Sequence, residues 1–177
     1  MSNIVLIGLM GAGKTTVGKR LAKNLGWEFV DTDQLVENRC GTSISVIFEV
    51  EGEEGFRKRE HKIIKEIMQN KRQVISSGGG APIELKNRQL LKKGFVVYLF
   101  VKPISIWKRL KTDDSRPILN ASKNLRKKIE ELYYQRDPIY REVADYIAVG
   151  GNIPIKKLVF DLQKVINDQG KHKIKVG

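Results

Sequence analysis

Eight residues near the start of the chain, Gly8-Leu9-Met10-Gly11-Ala12-Gly13-Lys14-Thr15, fit the spacing G-x-x-x-x-G-K-[ST]. Glycines at these positions let successive backbone N–H groups converge on one anion, and a helix beginning beside the lysine sets its positive dipole end behind them. The lysine then reaches the β- and γ-phosphates of a nucleotide, and the threonine hydroxyl can ligate magnesium. The chemistry this stretch suits is the binding of a nucleoside triphosphate, with Gly11, Ala12, Gly13, Lys14, Thr15 and Thr16 as candidate contacts.

Four further groups carry potential chemistry. Asp31 and Asp33 flank a single threonine; they suit either a turn with helix capping, or magnesium held through water by one and an acceptor hydroxyl met by the other. Arg57 and Glu60 are three apart on a helix-like run, and on spacing alone they read as a surface ion pair worth little. Gly78-Gly79-Gly80 offers either a conformational loop or bare N–H groups that a substrate can approach closely. Arg136 falls on the apolar seam of Leu125, Ile129 and Leu132 and so faces inward, either to bind a carboxylate with two parallel hydrogen bonds or to form a structural ion pair.

The elements that must hold these groups follow from periodicity. Ile4 to Ile7, Trp27 to Val30, Gln73 to Ser77, Phe95 to Val101 and Asp145 to Val149 read as strands. The unbroken apolar run from Phe95 marks a central strand covered on both faces. Helices are expected to Leu25 with Gly26 as stop, over Gln34 to Arg39 closed by Gly41, from Ile44 under a Thr42-Ser43 cap, from near Gly52 onward, over Pro82 to Lys92, from Pro103 to Leu110, and over Ile155 to Ile166. From Asn124 onward a helix is expected, and the Asp137-Pro138 step predicts that it breaks and restarts around Arg136. The acidic pair and the glycine triplet both follow strands, and in open parallel sheets ligands bind beyond the strands' carboxyl ends. The polar segment from Lys111 to Ser122 suits a lid, with Arg116 as an arginine able to reach a transferring phosphoryl group.

A length of 177 residues suits one α/β domain. No apolar run approaches a membrane span, no signal or transit peptide is visible, and the single Cys40 suits a reducing compartment, so a cytoplasmic protein is expected. His61, His172 and Cys40 lack metal-ligand spacing, leaving magnesium as the expected metal. The net charge of +13 is spread over nearly every helix, without an arginine-rich block or aromatic interleaving, so a nucleic-acid partner is not expected. Surface charge that helps collect anionic small substrates is the preferred reading.

Taken in order, Gly8 to Thr16, Asp31-Thr32-Asp33, Gly52 to Arg57 with Glu60, Ser77 to Ala81, Arg116-Pro117-Ile118-Leu119 and Arg136-Asp137-Pro138-Ile139-Tyr140 resemble the motifs of the shikimate kinases, small P-loop enzymes of aromatic amino-acid biosynthesis. The resemblance implies a three-layer α/β fold whose five-stranded parallel sheet has the order 2-3-1-4-5, with helices on both faces. It implies one domain over 1–170, with substrate-binding helices over about 32–62 and a lid over about 111–123, then a basic tail over 171–177. The reaction implied is magnesium-dependent transfer of the γ-phosphoryl of ATP to a hydroxyl of shikimate, and a monomer without nucleic-acid or membrane partners is expected. By the same resemblance Asp33 meets the reacting hydroxyl, Arg57 and Arg136 hold the shikimate carboxylate, and the Gly79 and Gly80 amides complete a pocket walled by Phe48 and Phe56. Asp31 joins Thr15 at magnesium, Lys14 stabilises charge moving onto the β–γ bridge, Arg116 arrives with the lid, and Arg109 with the region of Pro154 flanks adenine. The rival readings are another small-metabolite P-loop kinase, acting on gluconate or nucleoside monophosphates, and an ATP-dependent nucleic-acid-binding protein suggested by the charge.

Overall fold

The structure, a computed structural model, describes residues 2–111 and 124–173, without the side chains of 169–173. The apolar runs form five parallel strands, β1 (Ile4–Ile7), β2 (Glu28–Asp31), β3 (Gln73–Ser76), β4 (Phe95–Phe100) and β5 (Tyr146–Val149). Their order across the sheet is β2-β3-β1-β4-β5, as expected. β1 lies in the middle with all four residues buried, pairing Ile4 with Val74 on one side and with Phe95 on the other. Continuous Val/Ile/Leu runs suit strands covered on both faces, and the covering helices supply Leu21, Ile64, Ile106, Ile129 and Leu162, all nearly inaccessible to solvent.

The helices are α1 (Lys14–Leu25), α2 (Thr32–Cys40), α3 (Ile44–Ile67), α4 (Leu85–Leu91), α5 (Pro103–Lys111), α6 (Leu125–Val143) and α7 (Ile155–Lys173). Gly26 and Gly41 end α1 and α2 in the left-handed conformation, and the Ser43 hydroxyl caps α3 by accepting from the Val46 N–H at 3.4 Å. Gly52, with φ 68° and ψ −174°, leaves the helical conformation and divides α3 by a kink into the two helices expected on either side of it. Pro82 falls inside a 3-10 turn (Ala81–Ile83) that precedes α4, rather than at the start of the helix itself.

Two expectations fail. The helix does not break at Arg136, because α6 runs unbroken through Pro138. Asp137 is held in the helical conformation from two sides: its carboxylate accepts from the Tyr98 hydroxyl at 2.9 Å and from Arg141 Nε at 2.7 Å. The carbonyl that proline leaves unbonded belongs to Tyr134, a residue 74% exposed and open to water. α7 likewise runs past the expected end at Ile166, through Gly170 to Lys173. A lone helical glycine costs only about 1 kcal/mol relative to alanine and need not end a helix. The lid segment beyond Lys111, Arg116 included, lies outside the described residues, as do 174–177.

Candidate active site

The phosphate cradle follows β1. Gly8, Gly11 and Gly13 take φ of 142°, 73° and 98°, a backbone that side chains resist, and Gly13 begins α1 without a side-chain cap. The first amides of α1 therefore face the cleft without a side-chain acceptor, as an anion site requires. Lys14 folds back over the loop, its Nζ donating to the carbonyls of Gly8 at 2.9 Å and Leu9 at 3.0 Å. A cavity of about 500 Å³ opens over the loop, with Gly11, Lys14, Arg109, Gly151, Ile153 and Leu158 among its walls. Arg109 bridges two of these walls, donating to the Gly11 carbonyl at 3.3 Å and to the Gly151 carbonyl at 2.7 Å. Pro154 lies between the lining residues Ile153 and Ile155.

β2 delivers the acidic pair to the same end of the sheet. Asp31 caps α2, its Oδ1 accepting from the N–H groups of Asp33 at 3.1 Å and Gln34 at 3.4 Å, while Oδ2 accepts from the Thr15 hydroxyl at 2.9 Å. One carboxylate thus serves the capping role and also meets the cradle threonine. Asp33 faces inward, and burial, then the charge of Asp31, push its carboxyl above the ordinary range against the opposing pull of Lys14 and Arg57.

Arg57 and Glu60 are not a surface pair. The Glu60 side chain is 0% exposed and its Oε2 accepts from Arg57 Nη1 at 2.7 Å. The kink at Gly52 separates Phe48 from the following helix, yet the Phe48 and Phe56 rings still meet at 4.9 Å between centroids, with the Arg57 guanidinium 5.2 Å from the Phe56 ring. The other oxygen of Glu60 is buried without a hydrogen-bond partner among the described residues. Burial pushes this carboxyl up also, with Arg57 opposing.

None of the three loop glycines has positive φ, so conformation does not demand them. Space does. A Cβ on Gly78 would sit 2.6 Å from Asp33 Oδ1 and 2.8 Å from Glu60 Oε1, and one on Gly80 would overlap the Arg57 guanidinium. A Cβ on Gly79 would stand 3.4 Å from Arg136 Nη1. The loop is held by the Thr32 hydroxyl, which accepts from the Gly78 N–H at 2.8 Å, and by the Tyr140 hydroxyl, which donates to the Gly79 carbonyl at 2.5 Å. The N–H groups of Gly79 and Gly80 donate to no described residue. Arg136 Nε is likewise buried without a partner among the described residues.

The structure therefore brings Lys14, Thr15, Asp31, Asp33, Arg57, Gly79, Gly80 and Arg136 to one end of the sheet, with Arg109 on the far wall. Thr32, Glu60 and Tyr140 complete the arrangement, although sequence reasoning gave Thr32 and Tyr140 no role of their own and Glu60 only that of a surface partner to Arg57. Their signal was positional: Thr32 lies between the aspartates, Glu60 one turn after Arg57, and Tyr140 one turn after Arg136. The expected break at Pro138 hid the last of these.

A parallel α/β sheet with a P-loop, an acidic pair beside it and a recess of guanidinium and undonated N–H groups opposite defines a P-loop phosphotransferase with an anionic small-molecule acceptor. The shikimate kinase family matches residues 10–167, and the chain belongs to that family. It is 47% identical over 155 residues to the shikimate kinase of Nitrosococcus oceani, covering 87% of this chain and 81% of that one. It is 45% identical over 166 residues to that of Aromatoleum aromaticum, covering 93% and 94%. Among solved structures, a shikimate kinase from Acinetobacter baumannii in complex with shikimate superposes with a TM-score of 0.89 at 41% identity, over 96% of this chain and 94% of that one.

Proposed function

We propose that this chain transfers the γ-phosphoryl group of ATP to a ring hydroxyl of shikimate, giving shikimate 3-phosphate and ADP in aromatic amino-acid biosynthesis. The observation that carries this reading is the meeting of Arg57, Arg136 and two N–H groups without described acceptors on one side of a recess, with the inward-facing Asp33 beside them. A carboxylate satisfies orphaned donors of this kind, and a hydroxyl on the same small ring then falls to Asp33.

In this reading Asp33 is the catalytic carboxylate that orients the hydroxyl and accepts its proton, and the elevated proton affinity of Asp33 suits that task. Gly11 to Thr16 cradle the phosphates, and Lys14 leaves its loop carbonyls to stabilise charge on the β–γ bridge. Arg109 and the Pro154 region flank adenine, and Arg116 joins the transferring group from the lid. The Thr15 hydroxyl and Asp31 carboxylate, 2.9 Å apart, are the hard oxygen donors that magnesium prefers. Bound there, magnesium would neutralise phosphate charge. The proposal extends to a monomeric enzyme that acts in the cytoplasm on small molecules, without nucleic acid; no described helix is long and apolar enough to cross a membrane.

Coupled measurement of ADP release with magnesium and ATP tests this reading, with shikimate, gluconate and nucleoside monophosphates compared as acceptors. Release that depends on shikimate alone is the expected result. Release with gluconate or a nucleoside monophosphate and none with shikimate would overturn the acceptor assignment.

A further inference from the structure

The Gly79 carbonyl and the Gly80 N–H are the two ends of one planar peptide, and no peptide bond among the described residues is cis. In a trans peptide these groups point in opposite directions. A hydrogen bond that fixes the carbonyl therefore fixes the direction in which the N–H donates. The group that holds this carbonyl is the hydroxyl of Tyr140, at 2.5 Å.

Tyr140 is 0% exposed and lies one helical turn beyond Arg136 on α6, on the same face. Its ring packs on Tyr98 with 5.0 Å between centroids, and the Tyr98 hydroxyl binds Asp137, the residue after Arg136. The helix segment that carries Arg136 is thus anchored to β4 through Tyr98 and to the glycine loop through Tyr140. Burial, opposed by the charge of Arg136, raises the Tyr140 hydroxyl to about 12, so it remains a donor throughout the neutral range.

We propose that Tyr140 is a positioning residue that sets the Gly79–Gly80 peptide and ties it to Arg136, so that the Gly80 N–H and the Arg136 guanidinium act on the acceptor carboxylate as one rigid pair. The proposal rests on the acceptor reading given above. It concerns acceptor binding, because Tyr140 touches neither the phosphate cradle nor the acidic pair in the contacts described. Loss of the hydroxyl frees the peptide to rotate and leaves a carbonyl unsatisfied.

The test compares the intact wild-type chain with Tyr140→Phe and Tyr98→Phe. Both substitutions remove one buried hydroxyl from the same aromatic cluster and keep the ring, but only Tyr140→Phe releases the glycine loop. The expected result is about a tenfold rise in the KM for shikimate in Tyr140→Phe, with kcat within about twofold and the KM for ATP unchanged, and a rise of no more than about threefold in Tyr98→Phe, where Arg141 still holds Asp137. A shikimate KM that is unchanged in Tyr140→Phe, or that rises equally with the KM for ATP, or that rises as much in Tyr98→Phe, overturns the proposal. Thermal melting of each variant checks that the protein is folded at the assay temperature. Chemical-shift perturbation of the wild-type protein by shikimate gives a readout free of substitution: a large shift of the Gly80 amide is expected, and an unmoved Gly80 amide contradicts the proposal. A wild-type chain with no shikimate-dependent ADP release overturns the acceptor reading and this inference together, whereas normal wild-type turnover with an unaffected Tyr140→Phe overturns the inference alone.

Discussion

Glu60 is a charged group with no access to water, and Arg57 is the cation it meets, at 2.7 Å. Removing one member of such a pair leaves the other charged and buried, which costs about 3–5 kcal/mol, while replacing both with apolar groups of similar volume is often nearly neutral. Arg57→Met is therefore expected to lower stability by about 3 kcal/mol, and Arg57→Met with Glu60→Leu to recover most of that loss, without either variant recovering shikimate turnover. Denaturant melts of the single and double variants check this; equal stability of Arg57→Met and wild type would place Glu60 in a solvated site. The pair also shows what spacing can and cannot give. Three residues on a helix make neighbours, and that neighbourhood was legible, but burial depends on which elements lie against that face. Here the glycine loop after β3 does, with Gly78 placed where Glu60 Oε1 arrives.

At the scale of elements, the glycine triplet is the joint between the sheet and the acceptor recess. Gly80 has φ −93°, which any residue adopts, so its need for glycine is the Arg57 guanidinium that a Cβ would meet. Gly80→Ala is expected to lose about 1–3 kcal/mol of stability, because the added methyl crowds the guanidinium that meets buried Glu60, and to lose at least about tenfold in kcat/KM for shikimate with the KM for ATP little changed, as steady-state kinetics and a thermal melt will report. A fully active Gly80→Ala would show that Arg57 moves aside at no cost. Strand runs, helix stops at Gly26 and Gly41, and the kink at Gly52 were all legible because each follows from local chemistry. The course of α6 was not. Asp137-Pro138 favours a break locally, and the Tyr98 and Arg141 contacts that override it come from β4 and from the next turn of the helix. Nor could the sequence distinguish conformation from space as the reason for three glycines, because only the φ angles and the neighbouring side chains separate the two.

Across the whole molecule, a net charge of +13 surrounds a site built for two anionic substrates. Long-range attraction of this kind raises encounter rates and is screened within about 8 Å at physiological ionic strength. The expectation is a kcat/KM for shikimate that falls several-fold between about 20 and 500 mM salt while kcat stays nearly constant; a flat profile would mean that the charge plays no part in substrate capture. Strand limits and the cradle were readable from local patterns in the chain, while the sheet order came from the resemblance to the shikimate kinases. What brings Arg136 from the far end of the chain to Gly79 is the packing of α6 over that sheet. The account stands most directly on this meeting, and calorimetric titration of shikimate into wild type and Arg136→Met, alongside a non-hydrolysable ATP analogue, tests it. The account predicts one shikimate site, weakened about 10- to 100-fold in Arg136→Met by loss of a charge-assisted contact, with the affinity for the analogue unchanged. Shikimate affinity equal in the two proteins would contradict it.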